Sequence, residues 1–79
     1  MGMNKAEKMA VIGSATEMWD FRTFDGVELV EYMGYTDQGV GFFTDGAEIH
    51  VGKWIPEERV VEYVDESGIV WRVDEKGEV

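Results

Sequence analysis

Turn signals recur about every ten residues along this chain and divide it into short apolar, often aromatic runs: Asp25-Gly26, Asp37-Gln38-Gly39, Asp45-Gly46 and Glu66-Ser67-Gly68. An Asp-Gly link between apolar runs is the strongest short hairpin signal, because Gly takes the positive φ that a tight hairpin turn demands. Connections this short restrict the architecture to strands that follow one another in space. The expected fold is therefore mostly β, a small bent antiparallel meander or barrel of five to six strands, with a short N-terminal helix that could cap one end.

The elements can be placed one by one. Asn4 suits a helix N-cap, Lys5 to Ala10 are helix-forming in composition, and Gly13 suits the position just past a C-terminus. A weak helix over Lys5 to Ile12 and a connector to Thr16 follow, although the β-branched Val11 and Ile12 leave open a strand that starts at Met9. From Met18 the period becomes two, with Trp19, Phe21 and Thr23 on one face until Asp25-Gly26. A long second strand, Val27 to Tyr35, is apolar on both faces and has Gly34 as a place to bend. Val40 to Thr44 and Ala47 to Lys53 make the third and fourth strands. At Trp54-Ile55-Pro56 the sheet is expected to pause, since Pro denies a ladder donor, and Pro56 to Arg59 to form one tight turn. Val60 to Val64 and Ile69 to Val73 then pair as a closing hairpin, and the charged tail 74–79 is expected to fray. All of this is one domain over 1–79. Its expected core is Trp19, Phe21, Leu29, Met33, Phe42, Ile49, Val51, Ile55, Val60, Val64 and Val70.

Charge limits the partners. Asp and Glu total 17 against 7 Lys and Arg, a formal net charge of −10. Such a field repels phosphate backbones and anionic lipid, so nucleic acid is disfavoured and a protein with a basic surface favoured. The bland counterpart is that acids keep a small β protein soluble and stop its edges from pairing. The chain has no Cys, which excludes disulfide staples, a thiol nucleophile and thiolate zinc sites. No apolar run approaches the roughly 20 residues of a membrane span, and a cytoplasmic location is expected.

Catalytic chemistry has few candidates. His50 is the single histidine, with no Cys or Ser beside it, and reads as an ordinary strand residue rather than a catalytic or metal-binding group. Asp37, Asp45 and Glu48 lack the one-three-five spacing and central Gly of a calcium loop. None of the ten glycines belongs to a phosphate-cradling loop. The expectation is a protein that is not an enzyme and carries no cofactor and no metal.

Binding is the better prospect. Three Trp, three Tyr and four Phe exceed what so small a core hides, so one or two aromatics should lie exposed; Trp54, at the chain's only Pro break, is the first candidate anchor, with core packing as its plain alternative. With the acidic Asp37, Asp45, Glu48, Glu57 and Glu58 it defines the expected partner-binding surface of an acidic interaction module, a nucleic-acid mimic or regulator among the forms this could take. A self-assembling subunit joined through open strand edges is a further reading.

Two resemblances bear on function. The order of short helix, bent strands, tight turn after the fourth strand and closing strand is similar to the Sm-like fold, a ring-forming RNA-binding barrel. That family's RNA-binding turn has an Asp and an Asn flanking an apolar residue, whereas Asp37-Gln38-Gly39 keeps only the Asp; its basic-Gly step is missing. Ile55-Pro56, Arg59 and Val70-Trp71-Arg72 resemble the closing segment of a small domain family associated with RNA-end processing, which usually has a basic or His residue where this chain has Glu58. These resemblances imply an RNA-associated barrel with Lys53, Arg59 and Arg72 as its contacts.

Overall fold

The computed structural model describes residues 2–23, 30–46 and 48–79. Helix α1 (Lys5–Gly13) is set by a reciprocal cap: Asn4 Oδ1 accepts from the Glu7 amide at 2.8 Å, and Glu7 Oε1 accepts from the Asn4 amide at 3.0 Å. That box satisfies two orphan donors of the first turn and decides helix over strand for residues 4–12. Gly13 is the last helical residue and Ser14 the C-cap.

Among the described residues six strands follow, β1 (Glu17–Asp20), β2 (Tyr32–Tyr35), β3 (Val40–Asp45), β4 (Glu48–Ile55), β5 (Val60–Val64) and β6 (Val70–Asp74). They form one open antiparallel sheet in sequence order, so the chain is mostly β and a bent meander, as its turn rhythm predicts. Among the described residues, no helix is long and apolar enough to cross a membrane.

Several boundaries differ from expectation. The first strand stops at Asp20, because the Asp20 carboxylate accepts from the Arg22 amide at 3.0 Å and from its guanidinium at 3.2 Å, and Phe21–Thr23 coils into a 3-10 turn. The expected Asp25-Gly26 turn and residues 27–29 of the long second strand, Leu29 included, lie outside the described residues, and the strand itself begins only at Tyr32, after Val30 and Glu31. The sheet does not pause at Trp54: Trp54 and Ile55 pair with Val61 and Val60, and the break comes at Pro56 itself. The expected frayed tail turns back instead, with Asp74 Oδ1 accepting from the Lys76 and Glu78 amides and Gly77 (φ 77) against the Phe21 ring.

Two glycines bend the sheet. Gly41 and Gly52 stand opposite each other in the β3–β4 register. A Cβ at Gly52 would lie 2.1 Å from the Glu62 carbonyl oxygen, and one at Gly41 would lie 2.8 Å from the Val61 side chain. β5 can therefore fold closely over β3 and β4 only with hydrogen at both positions. β4 pairs with β3 from Glu48 to Lys53 and with β5 from Lys53 to Ile55.

The inner face holds Phe21, Val30, Met33, Phe43, Trp54, Val61 and Val73, with Trp19, Tyr35, Tyr63 and Trp71 packed against them. Phe42, turned to the opposite face by alternation, is wholly buried, and α1 lies against β3 and β4. The expected core is corrected at the closing hairpin. Val61 and Val73 face inward, while Val60, Val64 and Val70 occupy the other face; Val64 and Val70 are 56% and 52% exposed. In a strand, a shift of one residue exchanges the two faces entirely. Ile49, Val51 and Ile55 are half-buried.

Candidate functional site

Successive turns of a meander alternate between its two ends. The turn after β2, the turn Pro56 to Arg59 and the start of β1 thus share one end; the turn after β3 and the turn Asp65 to Gly68 share the other.

At the first end the inner face finishes in an aromatic group. Tyr35 stacks on Trp54 with ring centroids 4.2 Å apart and planes 8° from parallel, and Trp19 lies 6.2 Å from Trp54. Arg59, held at φ 54 by the turn, extends over this group. Its guanidinium carbon lies 5.4 Å from the Trp54 ring centre and 5.6 Å from that of Trp19. It donates to Glu75 and, at 3.1 Å, to Glu17, which also accepts from the Tyr35 hydroxyl at 3.0 Å. The hydrogen bonds Arg59 donates to Glu75 and then to Glu17 push its pKa up, and the bond to Glu17 does the same for Tyr35. The guanidinium is thereby committed to closing the molecule, with one carboxylate on β1 and the other just past β6.

This corrects the expectation for Trp54. Its ring is 6% exposed beneath Arg59 and offers no surface to a partner. The exposed large apolar side chains among the described residues are Met3, Met9, Met18, Val64, Ile69, Val70 and Val79, with no aromatic among them.

The acidic candidates divide between the ends. Asp37, Glu57 and Glu58 belong to the Arg59 end; Asp45 and Glu48 flank the turn at the opposite end, directly paired across β3 and β4. They do not make one face. Asp37 accepts from the Thr16 hydroxyl, Glu58 pairs with Arg72 at 2.6 Å, and Glu57 is exposed.

The basic candidates are split as well. Register aligns Lys53 and Arg72 on either side of Glu62, but Arg72 is engaged by Glu58 and lies 3.7 Å from Glu62. Both partners, Glu58 first, push its pKa up. Arg59 is engaged as described, which leaves the exposed Lys53 without an ion pair among the described residues.

Sequence reasoning missed the outer face of the closing hairpin. Val64 and Val70 stand opposite each other, and Ile69 beside them is 57% exposed. The turn that presents them is firmly tied: Asp65 accepts from the Ser67 and Ile69 amides at 2.8 and 2.9 Å and from the Trp71 indole N–H at 3.0 Å. The indole bond, followed by the Ile69 amide, holds the Asp65 pKa below its usual value. One sequence signal could have revealed this face. Tyr63 and Trp71 run in phase with Val61 and Val73, and the aromatic pair marks the inward side.

No protein-family model matches the chain, and no match is found among curated proteins or solved structures.

Proposed function

We propose that the chain is a non-enzymatic interaction module that binds a protein partner presenting basic and aliphatic groups. One observation carries this reading: Val64, Ile69 and Val70 are each more than half exposed on the last hairpin of an open sheet, within a strongly acidic surface. Exposed aliphatic groups on an edge hairpin are a common interface feature, and exposed acids such as Glu57 and Glu66 add salt-dependent steering. A protein groove shaped for phosphates has suitable chemistry, and the module then acts as a regulator that mimics nucleic acid. The RNA-associated reading draws little support, because Arg59 and Arg72 are already engaged by carboxylates. Self-assembly through the same hairpin would bring two highly acidic chains together.

The test is calorimetry of the full chain with a short peptide of alternating Lys and Ile, at low and at physiological ionic strength. Binding is expected to weaken with salt and to fall sharply in a Val64→Asp, Val70→Asp double variant, whose changes are confined to exposed positions. Salt-independent binding, or binding unchanged in the variant, would exclude this function.

A further inference from the structure

At the end of the inner face opposite Arg59, the β3–β4 register places Asp45 directly across from Glu48 and Phe43 across from His50. Alternation sends all four side chains to the same side. His50 Nε2 lies 2.9 Å from Asp45 Oδ1 and 3.9 Å from Glu48 Oε2, and the three potential ligand atoms all lie within 4.8 Å of one another. We propose that Asp45, Glu48 and His50 form a binding site for one zinc-like divalent transition cation.

The donor set is chemically suitable. Zn2+ takes imidazole nitrogen and carboxylate oxygen at about 2.0–2.2 Å, so tetrahedral ligands stand roughly 3.3–3.5 Å apart. The observed spacings bracket that value, and only small side-chain movements are needed. Three protein ligands leave the fourth position to water, the arrangement of an open zinc site.

The imidazole is already oriented. Its ring packs against both Phe43 and Tyr63, with centroids at 4.9 and 4.8 Å, and its side chain is 17% exposed. A ligand held in this way loses little further freedom when metal binds. A further acid, Glu66, lines the same opening as His50.

The same surroundings favour one class of ion. His50 and Glu48 open onto a cavity of about 300 Å³ that is also lined by Lys5 and Lys8 of α1 and by Glu66. The two ammonium groups oppose a cation held by charge alone, as Ca2+ and Mg2+ are. They matter less to an ion that gains from a metal–nitrogen bond.

His50 is the only histidine of the chain, so the experiment can read one imidazole without mutation. In a 15N-labelled sample of the full chain, ZnCl2 is expected to shift the His50 Nε2 resonance and to saturate at one equivalent. Calorimetry with ZnCl2 is expected to show affinity about tenfold or more weaker in Glu48→Gln and in Asp45→Asn. Both positions are exposed, so both variants keep the fold. An imidazole that stays unmoved, uptake that continues past one equivalent, or affinity unchanged in both variants would overturn the proposal.

Discussion

Arg59 Nη2 lies 3.1 Å from Glu17 Oε1, although 42 positions of sequence separate the two residues. With Glu75 on the same guanidinium, this contact connects the first strand, the turn after the fourth and the segment after the sixth. An open sheet has two free edges; here both approach one side chain, which also covers the Trp54 and Trp19 rings.

Replacing Arg59 should therefore loosen one whole end of the molecule. Arg59→Ala is expected to lower the Tm and to shift tryptophan emission to longer wavelength as Trp54 meets water. Arg59→Lys should rescue little, since an ammonium cannot reproduce the planar fork shared by two carboxylates. Because φ here is 54, Arg59→Gly should melt roughly 4–8 °C above Arg59→Ala. Equal Tm values for Gly and Ala would show that the backbone is unstrained.

The bend at Gly52 makes a steric prediction. A methyl group there meets the Glu62 carbonyl oxygen at 2.1 Å, backbone that has no rotamer to change. Gly52→Ala should cost about 3 kcal/mol or more, or prevent folding. Gly13→Ala has nothing within 4 Å and lies in a helix, so it should stabilise by roughly 0.5–1 kcal/mol. Urea denaturation of the two variants measures both effects.

Register in the closing hairpin can be checked in the same way. Val61 is fully buried and Val64 is 56% exposed. Val61→Ala should cost about 2 kcal/mol from lost burial and an unfilled cavity, while Val64→Ala should change stability by less than about 0.5 kcal/mol. The reverse order in urea unfolding would mean that the hairpin faces had been exchanged.

Acid should weaken the Asp65 turn. The indole N–H of Trp71 and the Ile69 amide hold the Asp65 pKa below its unfolded value. The folded state therefore binds this proton less readily than the unfolded chain, and the carboxylate's contribution is complete above the ordinary carboxylate range. It disappears as pH falls through that range and below it. Asp20, lowered mainly by Arg22, acts in the same direction. Acid unfolding followed by Trp71 fluorescence should be less steep in Asp65→Asn than in the parent chain, and identical pH profiles would contradict this account.

Much of the fold could be read from local chemistry. The Asn4 cap and the Glu7 three residues on, the positive-φ turns at Gly39, Gly46 and Gly68 and the stop at Pro56 each act within a few residues. The site was less readable. The sequence suggested Trp54 as an anchor because an aromatic at a Pro break is often half-exposed; Arg59, five residues later and fixed by carboxylates far along the chain, covers it. His50 read as an ordinary strand residue because Asp45, five residues back across the Asp45-Gly46 turn, reads as a turn residue and not as its cross-strand neighbour. Only the register of the hairpin places them 2.9 Å apart.

By itself, then, the sequence determined the mostly β class, the order of the strands and most of their turns, because turn and cap residues act through their own backbone. Tertiary structure decided how the closing hairpin is faced, where the sheet bends over Gly41 and Gly52, and which charges meet across the molecule. Alternation permits two opposite faces in every strand, and only packing against the rest of the chain selects between them.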